Sequence, residues 1–167
     1  MTKFRILAIP LGMLVAYLTL QSQATAPAGR STTISASLSV QMEKGPTGPG
    51  PWAILTMKNI SNRNVSFRTD MTDYRIHVEG EKGEPPKTSY HRSIRGEFQP
   101  GDKNLVGGGV IDSVPPGGSE VRKYDLTKFY DLTVSDKFVA YIEVRDESSG
   151  TWLRTNTVQF TMQAPAQ

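Results

Sequence analysis

From Ile34 to Met42 the chain alternates without a fault: Ile34, Ala36, Leu38, Val40 and Met42 fall in one phase, Ser35, Ser37, Ser39 and Gln41 in the other. Side chains in a strand point to opposite faces with period two, so this stretch predicts a half-buried strand at a sheet surface. Lys44 to Pro51, KGPTGPGP, reads as the end of it, because proline and glycine deny ladder donors and regular dihedrals. Alternation resumes at Ala53, Leu55 and Met57, with Trp52 and Ile54 making the opposite face apolar as well, the pattern of a strand covered on both sides.

After the Asn-rich stretch Asn59 to Asn64, Val65 and Phe67 take up the phase again, and the stretch reads as a hairpin connection. It holds two N-x-S triplets, Asn59-Ile60-Ser61 and Asn64-Val65-Ser66, which are glycan acceptors only in a eukaryotic secretory route. Tyr74, Ile76 and Val78 alternate with Arg75, His77 and Glu79; Phe138, Ala140, Ile142 and Val144 alternate with Val139, Tyr141, Glu143 and Arg145; Val158, Phe160 and Met162 close the series. Ser119 to Asp125 predicts a strand with Val121 opposite in phase to Tyr124 and Leu126. Asp125 then caps a single helical turn in which Leu126, Phe129 and Tyr130 share a face.

Turn signals separate these runs. In Val114-Pro115-Pro116-Gly117-Gly118 a proline presets one central dihedral and a glycine accepts the positive φ that follows, and Asp146 to Gly150 reads as a hairpin loop. Leu105 to Ile111, with Gly107-Gly108-Gly109, is a weak strand candidate whose glycines suit a bulge or tight packing. Glu81 to Asp102 is polar and too long for a bare connection: it either holds an edge strand around Thr88 to Ile94 or is a working loop. Seven to eight short strands, turns between them and one short helical turn predict an all-β fold, an antiparallel immunoglobulin-like β-sandwich over residues 34–163.

The N-terminus changes the picture of where such a domain would work. Lys3 and Arg5 precede an apolar run from Ile6 to Leu20 and the small-residue pattern Ser22-Gln23-Ala24, the order of a secretory signal peptide. The run is interrupted by Pro10 and Gly12 and is shorter than the ~20 residues of a spanning helix. Residues 1–24 are therefore expected to be removed after Ala24, leaving a flexible lead-in over 25–33, a tail at 164–167 and no membrane span. The expected location is periplasmic or extracellular. Of the 19 Lys and Arg residues two lie in this leader, so the remainder carries 17 against 16 Asp and Glu, a balance with no long-range pull on nucleic acid. Cysteine is absent, which removes thiol catalysis, thiolate metal sites and disulfides together.

Candidate chemistry is sparse. A serine nucleophile needs an oriented base, yet there is no G-x-S-x-G and no S-x-x-K, and only His77 and His91 could act as imidazole bases. Those two with Asp70 or Asp73 lack the spacing that fixes two metal ligands on one element, and no calcium loop is present. No catalytic residue, cofactor or metal is expected. Flat aromatic faces remain as binding candidates: Tyr90 in the long polar segment, with Arg92 and Arg95 (and Lys87) beside it as a small basic patch, and Trp152 next to the 146–150 loop. Trp152 is also in phase with Val158 and Phe160, which favours a place at the edge of the core.

The series LTMKNISNRNVSF, VPPGGSEVRKYDL, a helical turn and YDLTVSDKFVAYIEV resembles the immunoglobulin-like or fibronectin-III-like sandwich domains of exported bacterial proteins. More faintly it is similar to sandwich proteinase inhibitors of the BsuPI type. Phe138 and Ala140 stand where antibody-type domains carry the corner Tyr and the second Cys, so the antibody-type corner is absent. The resemblance implies a fold rather than a function. The expected function is a non-enzymatic exported module that contacts a protein or cell-surface partner through its loops. Proteinase inhibition and carbohydrate binding are the alternatives.

Overall fold

The computed structural model describes residues 29–30, 33–45, 48–68, 70–103, 109–133 and 136–162. The expected leader at 1–24 and the tail at 164–167 lie outside them. Among the described residues the elements are ten strands, one α-helix and two 3-10 turns. Gly29–Arg30 forms β1, within the stretch read as a lead-in, and pairs antiparallel with the start of β2 (Ile34–Gly45). β3 (Gly48–Asn59) pairs with β2 along its whole length, and its other edge takes β7 (Ser119–Asp125), giving a sheet in the order β1-β2-β3-β7.

The second sheet is built on β8 (Asp136–Asp146). On one edge lies β5 (Tyr74–Gly80); on the other lie β9 (Thr151–Arg154) and β10 (Val158–Met162), each antiparallel to β8. Between the sheets in sequence, β4 (Val65–Arg68) and β6 (Ile111–Val114) pair as a separate two-stranded ribbon. The fold is an all-β antiparallel sandwich.

The alternating apolar positions face inward as the pattern predicts, except Met42 at the end of its run, which is 51% exposed. Leu38, Leu55 and Met57 from the first sheet meet Ile76, Val78, Phe138, Ile142, Val144 and Val158 from the second, all buried, with Phe67 and Val114 of the ribbon joining them. The turn after β7 is a 3-10 turn, Leu126–Lys128, capped by Asp125, whose carboxylate accepts from the Thr127 amide at 3.0 Å. Leu126, Phe129 and Tyr130 are buried together, and the Tyr130 hydroxyl donates to the Ile76 carbonyl at 2.8 Å. Gly117 has φ +74° and the Gly118 amide bonds the Pro115 carbonyl at 2.9 Å, the proline-glycine turn that the sequence spells.

Three sequence expectations are corrected. The KGPTGPGP segment does not end the pairing: register continues through Pro49 and Pro51 to Gly45 opposite Gly48. Both prolines lie outside the span paired with β7, where no ladder donor to that strand is required of them. Asn59 to Asn64 is not a hairpin, because β3 and β4 belong to different sheets and the segment is a crossover. Thr88 to Ile94 is not an edge strand but belongs to a helix, α1 (Ser89–Arg95). Strand β6 begins at Ile111, where the strand candidate ended; its residues 105–108 lie outside the described residues.

Candidate functional site

The segment from Glu81 to Lys103 folds as a lobe at the side of the sandwich. Thr88 opens α1 as its N-cap, accepting from the His91 amide at 3.2 Å, because a short hydroxyl satisfies a donor that the helix start leaves free. Gly96 closes it with φ +70°, a left-handed conformation that favours glycine, and the Glu97 amide returns to the Arg92 carbonyl at 2.8 Å. Among the sequence candidates, Arg92 and Arg95 both lie on this helix and both are engaged within the chain. Arg92 makes a bidentate pair with Asp102 (Nε to Oδ2 2.7 Å, Nη2 to Oδ1 2.6 Å) and also bonds the Lys87 carbonyl. Arg95 donates to the carbonyls of Met71, at 3.0 Å, and Tyr74, which docks the helix on the start of β5.

The lobe is thus closed by its own charges. The Arg92 guanidinium and the Gln99 amide hold the Asp102 carboxyl down at about 2. Lys87 bridges Glu97 at 2.8 Å, and Ser93 donates to the Lys103 carbonyl. Between the Pro85-Pro86 strap and the returning chain lies an open depression of about 440 Å³, lined by Glu84, Lys87, Arg92, Glu97 and Gln99 besides the prolines. Tyr90 on α1 is 37% exposed and edge-on to Phe129, and Phe98 on the return is 50% exposed. Sequence reasoning passed over Phe98, an isolated aromatic with no periodic neighbours.

His91 anchors the lobe from inside. It is buried, Nδ1 lies 3.2 Å from the Phe129 carbonyl, and its ring packs edge-on against Tyr130 at 4.9 Å. Burial, with the Lys87 and Arg95 cations nearby, disfavours the imidazolium and holds its pKa below 6.5. The unfolded chain then takes a proton that the folded chain refuses, so this contribution to stability is complete above pH 6.5 and shrinks as pH falls below it. The melting temperature should fall on acidification from pH 7 toward pH 5, and His91→Gln should flatten that slope. A variant with the parent's full slope would assign it elsewhere.

Trp152 lies elsewhere, on the outer face of the second sheet. It is not in phase with Val158 and Phe160, because Thr155 and Asn156 between them are both buried and the alternation flips there. Its register partner is Arg145, and Arg75 from β5 lies over its ring at 3.9 Å. Arg75 approaches Glu143 at 3.8 Å, and Glu143 meets His77 Nε2 at 3.0 Å. His77 stacks on Tyr141 with centroids 4.4 Å apart, and Arg154 covers Tyr141 at 3.6 Å from the strand on the opposite side of β8. The row Trp152, Arg75, Glu143, His77, Tyr141 and Arg154 is one connected surface network, visible only once register places β5 and β9 on either side of β8.

Tyr90 and Trp152 are therefore on different elements, and His77 and His91 do not meet: one is on the outer sheet face, the other inside the lobe. Among the described residues, no group of three or more His, Asp or Glu side chains is arranged to share a metal ion, and no helix is long and apolar enough to cross a membrane.

No family model matches the chain, and no curated protein sequence matches it. Among solved structures, the chain is similar to a conserved hypothetical protein from Bacillus anthracis, with 9% identity and a TM-score of 0.34 over 81% of this chain and 97% of that one.

Proposed function

We propose that the protein is a non-enzymatic, exported interaction module that contacts a protein or cell-surface partner through the lobe at 81–103. The observation that carries this reading is the closed lobe. A bidentate Arg92–Asp102 pair and the Lys87–Glu97 bridge hold a polar loop in one shape while Tyr90 and Phe98 stand outside it. A partner that binds such a surface pays little ordering entropy, and exposed aromatic side chains supply contact area at small entropic cost. Binding residues concentrate on loops positioned by a rigid scaffold.

The network around Trp152 counts against the carbohydrate alternative. Sugar recognition needs a free aromatic face, whereas Tyr141 is held between His77 and Arg154, and Arg75 lies on Trp152. Proteinase inhibition would use the same lobe and is an outcome of the same search. The test is capture of a partner from the envelope and culture medium of the source cells, followed by affinity measurements with the purified pair. Tyr90→Ala and Phe98→Ala should each weaken binding by roughly 10-fold to 100-fold, the effect of losing an aromatic anchor. An identified partner that binds both variants like the parent would refute the lobe as the contact.

A further inference from the structure

Arg92, Arg95 and Arg122 are each engaged by carboxylates or backbone carbonyls of their own chain. Arg75, Arg145 and Arg154, all exposed on the outer face of the second sheet, are largely left over. Arg75 has one carboxylate, Glu143, at 3.8 Å, and Arg145 has one, the buried Asp73, at 4.0 Å. Arg154 has none among the described residues and a single long hydrogen bond, to Thr157 Oγ1 at 3.4 Å. Register sets Arg75 and Arg154 on either side of Glu143, roughly 10 Å apart at two strand spacings, with Arg145 roughly 7 Å further along β8. Glu143 itself is held by His77 at 3.0 Å. The outward side chains of this sheet bring Arg75, Lys137, Arg145 and Arg154 against Glu79 and Glu143, and Glu79 lies two rows away from Glu143, beside Val139. The arginine end of the face therefore carries the surplus of positive charge.

We infer that this end of the face is a second binding surface, independent of the lobe, and that its ligand is a linear polymer of phosphate groups without bases. Arg75 lies over Trp152 and Arg154 over Tyr141, at 3.9 and 3.6 Å from the ring centroids. A guanidinium placed over a ring is held in one orientation yet keeps its N–H donors, and that planar fork matches the oxygens of a phosphate. Trp152 stands opposite Arg145, and Tyr141 lies four residues before Arg145 on β8, roughly 14 Å along the strand. Forks held over rings so far apart address separate oxyanions, which a chain of phosphates presents and a single phosphate does not. The same coverage selects against other polyanions. Single-stranded nucleic acid gains its affinity by stacking bases on free aromatic faces, and both rings are already taken. An acidic protein surface would bring apolar side chains that need an apolar centre to meet, and besides the two covered rings the only apolar side chain facing out is the half-buried Val139. What remains is a ligand whose binding rests on charge alone, held by release of its condensed counterions.

The test is titration calorimetry of the full-length protein, as recovered from expressing cells, with long-chain inorganic polyphosphate as the probe. The parent should bind it at about 50 mM salt and release it as salt rises toward about 200 mM. Arg75→Gln, Arg145→Gln and Arg154→Gln combined should weaken binding by roughly 100-fold and lower the slope of log affinity against log salt by about one per arginine removed. All three side chains are exposed, so circular dichroism and melting temperature should stay those of the parent. Arg154→Lys keeps the charge and loses the fork, and should weaken binding several-fold. Lys58→Gln, at an exposed cation of the other sheet, should bind like the parent. No binding of polyphosphate at low salt overturns the inference, as does a triple variant that binds like the parent or a Lys58→Gln variant that loses as much as it does. Arg154→Lys equal to the parent would overturn the role of the stacked fork. Poly-L-glutamate, a single-stranded oligonucleotide or phosphatidylglycerol vesicles bound more tightly than polyphosphate at equal charge would overturn the ligand class in favour of an acidic protein, a nucleic acid or a membrane.

Discussion

Asn59→Ala is expected to lower stability by about 3 kcal/mol, since removing one partner leaves each buried donor or acceptor at a cost of roughly 1–3 kcal/mol. The side chain is fully buried and used at every position. Its amide nitrogen donates to the carbonyls of Arg63, at 2.7 Å, and Val114, at 2.9 Å. Its amide oxygen accepts from the backbone and the hydroxyl of Ser61 at 2.9 and 2.7 Å. The backbone of the same residue bonds Gly118 and Gly117, at 2.9 and 3.0 Å, across the proline-glycine turn. Asn59 thus ties the end of β3, the crossover to β4 and the end of β6 into one joint. Alanine leaves the Val114 carbonyl buried without its donor, and no apolar gain offsets it.

The melting temperature of Asn59→Ala should fall by roughly 10 °C, at 2–4 °C per kcal/mol for a domain of this size. Asn59→Asp should do worse, because a carboxylate would face two carbonyls. The neighbouring Asn64→Ala, at an exposed position, should stay within about 0.5 kcal/mol of the parent. Equal effects at the two asparagines would refute the joint. The first N-x-S triplet is thus an internal support in the folded protein, whatever its acceptor motif suggests.

That joint also shows why part of the fold was legible and part was not. The strands could be read because burial on one face imposes a period of two, as in Ile34 to Val40 and Phe138 to Val144, where every inward position is apolar. The cap at Asp125 and the turn at Gly117 could be read because their chemistry is local. A turn signal states that the chain changes direction, not which sheet it joins; what decides the crossover is the bond from Asn59 to Val114, 55 residues away. In the lobe the marks of a helix were present, Thr88 before it and Gly96 after it, but two turns are too short for a period of 3.6 to show. Trp152 was assigned by parity carried across Thr155 and Asn156, where two successive buried side chains break the alternation. For the candidate site the same limit holds: the residue types were legible, but the pairing of Arg92 with Asp102 and of Arg75 with Trp152 is tertiary.

Asn156→Ala should have an effect as large, because Asn156 does the work of a strand neighbour. Among the described residues, β1 pairs with β2 only at Ser35 and Ala36, and further along that edge the backbone of Leu38 faces no strand neighbour. The Asn156 side chain takes the place of one: its oxygen accepts from the Leu38 amide at 2.7 Å and its nitrogen donates to the Leu38 carbonyl at 2.8 Å. One side chain thus reproduces a ladder pair and joins the two sheets at an edge that would otherwise offer itself to another chain. Alanine leaves two buried backbone groups unpaired, about 3 kcal/mol in sum, and the variant should aggregate more readily on heating. Asn156→Asp separates the two bonds. The ionised carboxylate keeps the acceptor, loses the donor and sets a charge against the Leu38 carbonyl, so its pKa in the folded chain should rise above the ordinary ~3.9. The protonated acid has the donor and acceptor geometry of the amide it replaces. The folded chain would then bind a proton that the unfolded chain does not. Relative to Asn156→Ala, stability should increase as pH falls through the raised pKa toward ~3.9 and level off below it. Chemical denaturation of the two variants from pH 7 to pH 4 measures this directly, and a difference that stays constant with pH would show that Asn156 does not pair with the backbone of β2.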